Sequence, residues 1–240
     1  MPKFYIPPER LKEGKLVIIG KTHHHLSRVL RIKPGDDVGV MDGAGRVGKA
    51  SVTEISRDRT MIEVEGISVV EGKRPRLHLY QAIPKGKKMD RVVQSAVEMD
   101  VSSITPFHSG RSVMPGKGEG ARLERWRRIA VEASRVAGRA YLPEVGSPLR
   151  WEEILDNLKS LDLTLMADEA GGYRPTEALE GRLPGDLGMV VGPEGGFTRD
   201  ERFELRDMGA TAITLGDLIL RTETAALALT AAVKCHFGSL

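Results

Sequence analysis

Two short stretches hold residue types whose spacing could do chemistry: VVGPEGGFT at residues 190–198 and LGDLILRTET at residues 215–224. In the first, Gly192, Gly195 and Gly196 follow the apolar pair Val190 and Val191 and enclose Glu194. Glycine admits a ligand to the backbone and takes φ > 0 without a Cβ clash, whereas a plain strand-to-helix turn would need only two of the three. The loop lacks the Lys-Ser/Thr pair of a phosphate-binding P-loop, and GPEGG does not follow the GxGxxG order of dinucleotide sites. Glu194 would repel a phosphate; it suits a ligand bearing positive charge or a hydrogen-bond donor. In the second stretch Leu215 and Gly216 leave a strand, and Arg221-Thr222-Glu223-Thr224 opens an alanine-rich helix. Thr222 or Thr224 can cap that helix, and Glu223 suits its positive end. Arg221 is out of place, because a cation at a helix N-terminus is unfavourable. Either an ion pair with Glu194 or Glu223 accounts for it, or a part in handling a substrate.

Periodicity outlines the elements that must position these stretches. Up to about residue 70 the chain reads as short strands separated by turns, with period-2 alternation in 48–55 and 61–67 and turn pairs at Pro34-Gly35 and Asp42-Gly43. This predicts a small antiparallel β-barrel over residues 1–72. The exception is THHHLSRVLRIK, where Leu26, Val29 and Leu30 recur at helical spacing after a Thr22 cap candidate, with Arg28 and Arg31 on the other side. At EGKRPR, residues 71–76, the pattern changes to strands alternating with longer helices, which predicts a second, α/β domain over 73–240 with a mostly parallel sheet covered on both faces. Both chemical stretches then lie at carboxyl ends of strands, where open α/β sheets bind ligands.

Composition excludes more than it names. Hydrophobic residues at 40% and charged residues at 29% are ordinary globular usage. No apolar run approaches the roughly 18 residues of a membrane span, and MPKFYIPPER has no apolar signal core, so a cytoplasmic protein is expected. Cys235 has no partner for an internal disulfide and reads as buried filler in an apolar segment. His23, His24 and His25 point in different directions on any regular element, and no metal site is expected. The net charge is only +3, yet the cations cluster at Lys85, Lys87, Lys88 and Arg91 and again at Arg122, Arg125, Arg127, Arg128, Arg135 and Arg139. These are either solvated helix faces or the footprint of a polyanion.

VGPEGGFTRDE together with LGDLILRTETAAL resembles the paired C-terminal signatures of the SPOUT class of RNA methyltransferases, in particular the bacterial family that methylates N3 of a uridine in small-subunit (16S) ribosomal RNA. KGKKMDRVVQSAVEMDVSSITPFHSGRS, WRRIAVEASRVAGRAYLPEV and HHLSRVLRIKPGDDVGVMDGAG are similar to other segments of that family, so the resemblance covers nearly the whole chain. It implies a PUA-like barrel, an α/β domain with a C-terminal trefoil knot, a homodimer, and S-adenosylmethionine held by backbone groups of strand-end loops. The implied cofactor positions are Met166, Ala167, Val191, Gly192, Glu194, Gly195, Gly196, Leu215, Gly216, Leu218, Ile219, Leu220 and Thr224. It further implies an unstacked target base and phosphate contacts from Arg28, Arg31, Lys85, Lys88, Arg111, Arg125 and Arg139. On the long helix of roughly 120–138, Arg125, Arg128, Arg135 and Arg139 fall near one stripe beside an apolar face of Trp126, Ile129, Ala133 and Val136.

Methyl transfer from a sulfonium is an in-line displacement, and the N3 proton of uridine obstructs it. Arg221 suits stabilisation of the imidate, and Glu223 suits removal of the proton or orientation of Arg221. The chain departs from the family pattern in three places: Ser109-Gly110-Arg111 replaces Ser-Glu-Arg, Arg135-Val136 replaces Glu-Gln, and Gly216-Asp217-Leu218 replaces Gly-Pro-Arg. Those changes remove polar groups on the expected RNA side and leave the two cofactor signatures in place. The alternatives are a methyltransferase of another RNA nucleotide and a non-catalytic ribosomal RNA-binding assembly factor. A dinucleotide oxidoreductase lacks its glycine motif and acidic ribose partner.

Overall fold

A computed structural model gives the fold, and the structure describes residues 1–112, 116 and 118–238. They form two compact units, one of Met1–Gly72 with Ser134–Leu142 and one of Lys73–Ala133 with Pro143–Leu240. Ser134–Leu142, expected within the second domain, is thus grouped with the first. Its attachment is visible in backbone bonds from the Gly45 N–H to Ala140 O and from the Leu142 N–H to Gly43 O.

The first unit is a five-stranded sheet built from β1 (Lys3–Tyr5), β2 (Gly14–Ile19), β3 (Asp37–Met41), β4 (Arg46–Ile55) and β5 (Arg59–Val69), in the order β1-β3-β4-β5-β2. The expected barrel sheet is antiparallel except that β1 pairs with β3 in parallel. Alternation decides what is buried: Leu16 and Ile18 enter the core with Phe4, Val38, Val40 and Ile62, while Val17 and Ile19 face out. The helical segment differs from expectation. α1 (Gly20–His24) starts without a side-chain cap and runs into a π turn at His25–Val29. The wider turn breaks the 3.6-residue stripe, so Leu26 is buried while Val29 and Leu30 are exposed. His23 is buried against Thr60, whereas Arg31 closes the turn at φ 52°.

The second unit is a wholly parallel six-stranded sheet of β6 (Arg76–Ala82), β7 (Ser103–Phe107), β8 (Glu144–Val145), β9 (Leu163–Ala167), β10 (Asp186–Val191) and β11 (Thr211–Ile213), ordered β11-β9-β10-β6-β7-β8. Alternate residues serve its two faces. Leu77, Leu79, Leu165 and Met189 meet α2 (Lys88–Glu98), α3 (Glu119–Ala137) and α7 (Thr222–His236). Tyr80, Met166 and Val190 meet α4 (Trp151–Leu158) and α6 (Arg199–Asp207). A short α5 (Pro175–Leu179) completes the first face. On α7 the buried stripe is Ala226, Leu229, Thr230 and Val233. Cys235 falls off it and is exposed, against the expectation of buried filler, because the helical period outranks the apolarity of the segment.

At the amino end of the sheet, Asp186 accepts from Arg76 Nη2 at 2.5 Å and lies 2.8 Å from His78 Nε2. The Arg76 hydrogen bond outweighs partial burial and holds the Asp186 carboxyl below the usual carboxylate range. A depressed folded-state pKa stabilises above the unfolded value of about 3.9 and is lost as pH falls through the folded value. Asp186→Asn is therefore expected to cost about 1 kcal/mol at pH 7, with the gap from wild type closing below pH 4. Urea unfolding at pH 7 and at pH 3 checks this, and an equal gap at both would reject it.

Candidate functional site

The chain leaves β6 toward β7 on one side of the sheet and returns through β9 to β10 on the other, so the loops after β6 and β10 diverge at neighbouring strand ends. Such a crevice is the standing place for a ligand in an open α/β sheet. Beside it, at the carboxyl ends of β9, β10 and β11, the following segments and the first turn of α7 enclose a cavity of about 260 Å³. Among the described residues its wall includes Ala167, Val191, Gly192, Glu194, Gly195, Gly196, Leu215, Gly216, Leu218, Ile219 and Leu220, all expected from the sequence. Two expected residues are elsewhere. Met166 points to the opposite face and is fully buried with Val190 and Phe197, as strand alternation requires. Thr224 is an exposed first-turn residue of α7 whose N–H bonds Arg221 O. The sequence reading missed Asp168, Glu169, Ile213, Thr214, Thr222 and Ala225. The end of β9 at Ala167, just before Asp168-Glu169, was the signal available for the two acids.

The glycines have separate structural reasons. Gly196 sits at φ 65°, and a Cβ there would meet Glu169 Oε1 at 2.2 Å. Gly216 turns the second loop at φ 111° with no neighbour within 4 Å. Both conformations favour a residue without a side chain. The glycine loop is held from outside: Arg111, an exposed residue expected on phosphate, donates from Nη1 to Gly195 O at 2.8 Å and braces the loop. Thr198 caps α6 by accepting from the Glu201 N–H, and Glu201 accepts in return from Thr198 and from the Gly110 N–H at 2.7 Å. Gly110, one of the three departures, therefore makes its contact through the backbone.

Every acid on the wall is ion-paired. Asp168, its side chain fully buried, accepts from Arg202 Nε at 3.0 Å and Arg206 Nη2 at 3.1 Å, and Glu169 accepts from Arg202 Nη2 at 2.5 Å. Glu194 accepts from Lys88 Nζ at 2.6 Å and from the Lys85 N–H at 3.1 Å. Burial pushes the Glu194 carboxyl up, but the Lys88 ammonium and the backbone N–H groups more than offset it and hold it below its ordinary value. Neither Glu194 nor Glu223 pairs with Arg221. Arg221 is the exposed cap residue of α7 and has no ion pair among the described residues. Glu223 is half-buried, and its Oε2 has no hydrogen-bond partner among them.

The expected basic residues separate in the same way. Arg28 and Arg31 are exposed without a side-chain partner among the described residues, and Lys85 is exposed with only its backbone engaged. Lys88 is committed to Glu194 and Arg125 to Asp90. Arg139 lies beyond the end of α3 and is buried, so it leaves the expected stripe. Val136, expected on the apolar face, is 70% exposed, and Arg135 contacts His25 Nε2 at 3.1 Å.

Comparison with known proteins extends these observations. Residues 71–234 match the model of an RNA methyltransferase domain, and residues 18–64 match that of an RNA methyltransferase PUA domain. A protein of Mycobacterium bovis named ribosomal RNA small subunit methyltransferase E is 31% identical over 225 residues, covering 90% of this chain and 85% of that one. The protein of the same name from Bacillus subtilis is 28% identical, covering 90% and 88%. Among solved structures, ribosomal RNA small subunit methyltransferase E from Neisseria gonorrhoeae, bound to S-adenosylmethionine, superposes with a TM-score of 0.87 at 32% identity over 98% of this chain and 97% of that one. A Legionella pneumophila methyltransferase in complex with the same cofactor gives 0.84 at 26% identity over 97% and 96%.

Gly196→Ala is expected to destabilise the chain by about 1–3 kcal/mol, the range for a strained backbone position. Part of this is the contact with Glu169, so adding Glu169→Ala should recover a fraction of the loss beyond the effect of that change alone. A double-mutant cycle in urea midpoints reads the coupling, and strict additivity would show that Glu169 does not confine Gly196.

Proposed function

Because the chain belongs to the RNA methyltransferase family, we propose that it transfers the methyl group of S-adenosylmethionine to N3 of a uridine in small-subunit (16S) ribosomal RNA. The observation that carries the reading is the cavity at the ends of β9, β10 and β11, walled mostly by glycine-rich and apolar loops. The residues present fit the cofactor. The backbone of the Gly192–Gly196 loop lines the wall, Gly216 leaves open space where a side chain would stand, the apolar loop Leu218–Leu220 suits the cofactor's uncharged parts, and three acidic side chains line the same wall. When bound there, S-adenosylmethionine supplies an electrophilic methyl on a sulfonium.

The chain's own residues then have to present the base. Arg221 is free to meet a uridine oxygen and stabilise the imidate that forms as N3 loses its proton. Glu223, with an unoccupied carboxylate oxygen in the first turn of α7, accepts that proton or orients Arg221. Both residues flank Thr222 in the chain; Thr222 is on the cavity wall, and neither of their side chains lines it. Arg28, Arg31 and Lys85 are the cations proposed for phosphate contact, since each keeps its charged group in solvent without a partner among the described residues. Lys88, Arg111 and Arg125 act through the residues they brace. The reading includes a C-terminal trefoil knot. It also includes a homodimer, supported by Leu218 and Ile219, which are 82% and 87% exposed and would be covered by a second copy. A cytoplasmic location follows from a ribosomal RNA substrate, and among the described residues no helix is long and apolar enough to cross a membrane.

The test is transfer of labelled methyl from S-adenosylmethionine to small ribosomal subunits lacking the modification, with the product nucleoside mapped. Methyl on uridine N3 is expected; methyl elsewhere would reassign the target, and no transfer despite cofactor binding would favour an RNA-binding assembly factor. Arg221→Ala is expected to lower turnover about 100-fold or more, with S-adenosylmethionine affinity within about threefold by calorimetry. Near-normal turnover in that variant would remove Arg221 from the chemistry.

A further inference from the structure

Gln81, next to last in β6, is fully buried and stands in register beside Val191 of β10. Its Nε2 donates to Ala82 O and to Thr222 Oγ1, both at 2.9 Å, while Oε1 has no partner among the described residues. The amide has one workable orientation. Turned round, it would set an oxygen against the Ala82 carbonyl, which can only accept. With Gln81 donating to the Thr222 oxygen, the hydroxyl proton is directed to Gly192 O, 2.6 Å away. Gly192 is the first residue of the glycine loop, and Thr222 is itself on the cavity wall between Arg221 and Glu223.

We infer that Gln81 and Thr222 are positioning residues: a one-way hydrogen-bond chain, amide to hydroxyl to carbonyl, ties the first peptide of the glycine loop to the start of α7 and holds the cofactor cleft in its binding shape. The inference rests on the proposed S-adenosylmethionine site. A buried donor and a buried acceptor converge on one hydroxyl, so removing it strands both, and the loop must move to satisfy them. A cleft that has to be reorganised for each binding event binds more weakly, and the deficit falls on cofactor affinity rather than on the bound reaction. The stranded Oε1 of Gln81 fits this account, since the amide is oriented by what its nitrogen must do.

The experiment uses the full chain, with S-adenosylmethionine titrated by calorimetry and methyl transfer measured at saturating RNA. Thr222→Val keeps the shape and removes the hydroxyl. It is expected to raise Kd and KM for S-adenosylmethionine about tenfold, a larger effect than any fall in kcat at saturating cofactor, and Thr222→Ser should restore both constants to within about twofold. If Thr222→Val does not fold, Gln81→Met carries the test, with Kd expected to rise about threefold or more at an unchanged circular dichroism spectrum. A folded Thr222→Val that binds as tightly as wild type overturns the inference, as does a serine variant that loses as much as valine or a loss that falls on kcat alone. A wild-type chain that binds no S-adenosylmethionine overturns the reading of the cleft and this inference with it.

Discussion

Parallel pairing is the constraint from which the site follows. Strands that run the same way end at the same edge, so β6, β9, β10 and β11 deliver their loops to one side of the sheet. Each strand end releases backbone groups from the ladder, and these must find other partners or a ligand. Some do so within the loops, as where the Gly196 N–H reaches Pro193 O and the Tyr173 N–H reaches Ala212 O. Gly172 shows how tightly that edge is drawn, because a Cβ there would meet the Ala212 backbone at 2.3 Å.

Charge shapes the edge as much as backbone does. Three acids line the cavity, and each is gripped by a cation from a helix: Asp168 and Glu169 by α6, Glu194 by α2. A gripped carboxylate keeps its direction, so the wall presents oriented oxygens rather than mobile charge. Arg221 is the contrasting case, an exposed cation at the helix end where the dipole disfavours it. The chain fixes the groups that form the container and leaves unpaired the one proposed to meet the substrate.

Much of this was legible in the residues. The alternation in 48–55 and 61–67 and the turn glycines describe strands of the first unit, the change of pattern near residue 72 marks where its main segment ends, and residues of the two chemical stretches line one cavity. The failures share a cause: local periodicity carries no information on partners distant in sequence. Arg125 on its helix gives no sign of Asp90, nor Lys88 of Glu194, and both looked free. A π turn cannot be told from α-helix by spacing, which is why Val29 and Leu30 were expected inside. Gln81 was invisible because a glutamine in an apolar strand matters only through Thr222, 141 residues away in the chain.

The first unit is assembled from two pieces of chain. Besides the backbone bonds at Gly43 and Gly45, the Tyr141 hydroxyl donates to Val70 O, and the Tyr141 ring lies where any side chain at Gly45 would have to go. On a ribosome, therefore, β1 to β5 and the core between them emerge before the second piece of their unit has been made. No single cut separates the two units, and a gene fragment encoding residues 1–72 alone would yield a sheet with an open seam. A recombination that moved residues 1–72 alone would carry the core of the unit and leave behind the partners of Gly43, Gly45 and Val70.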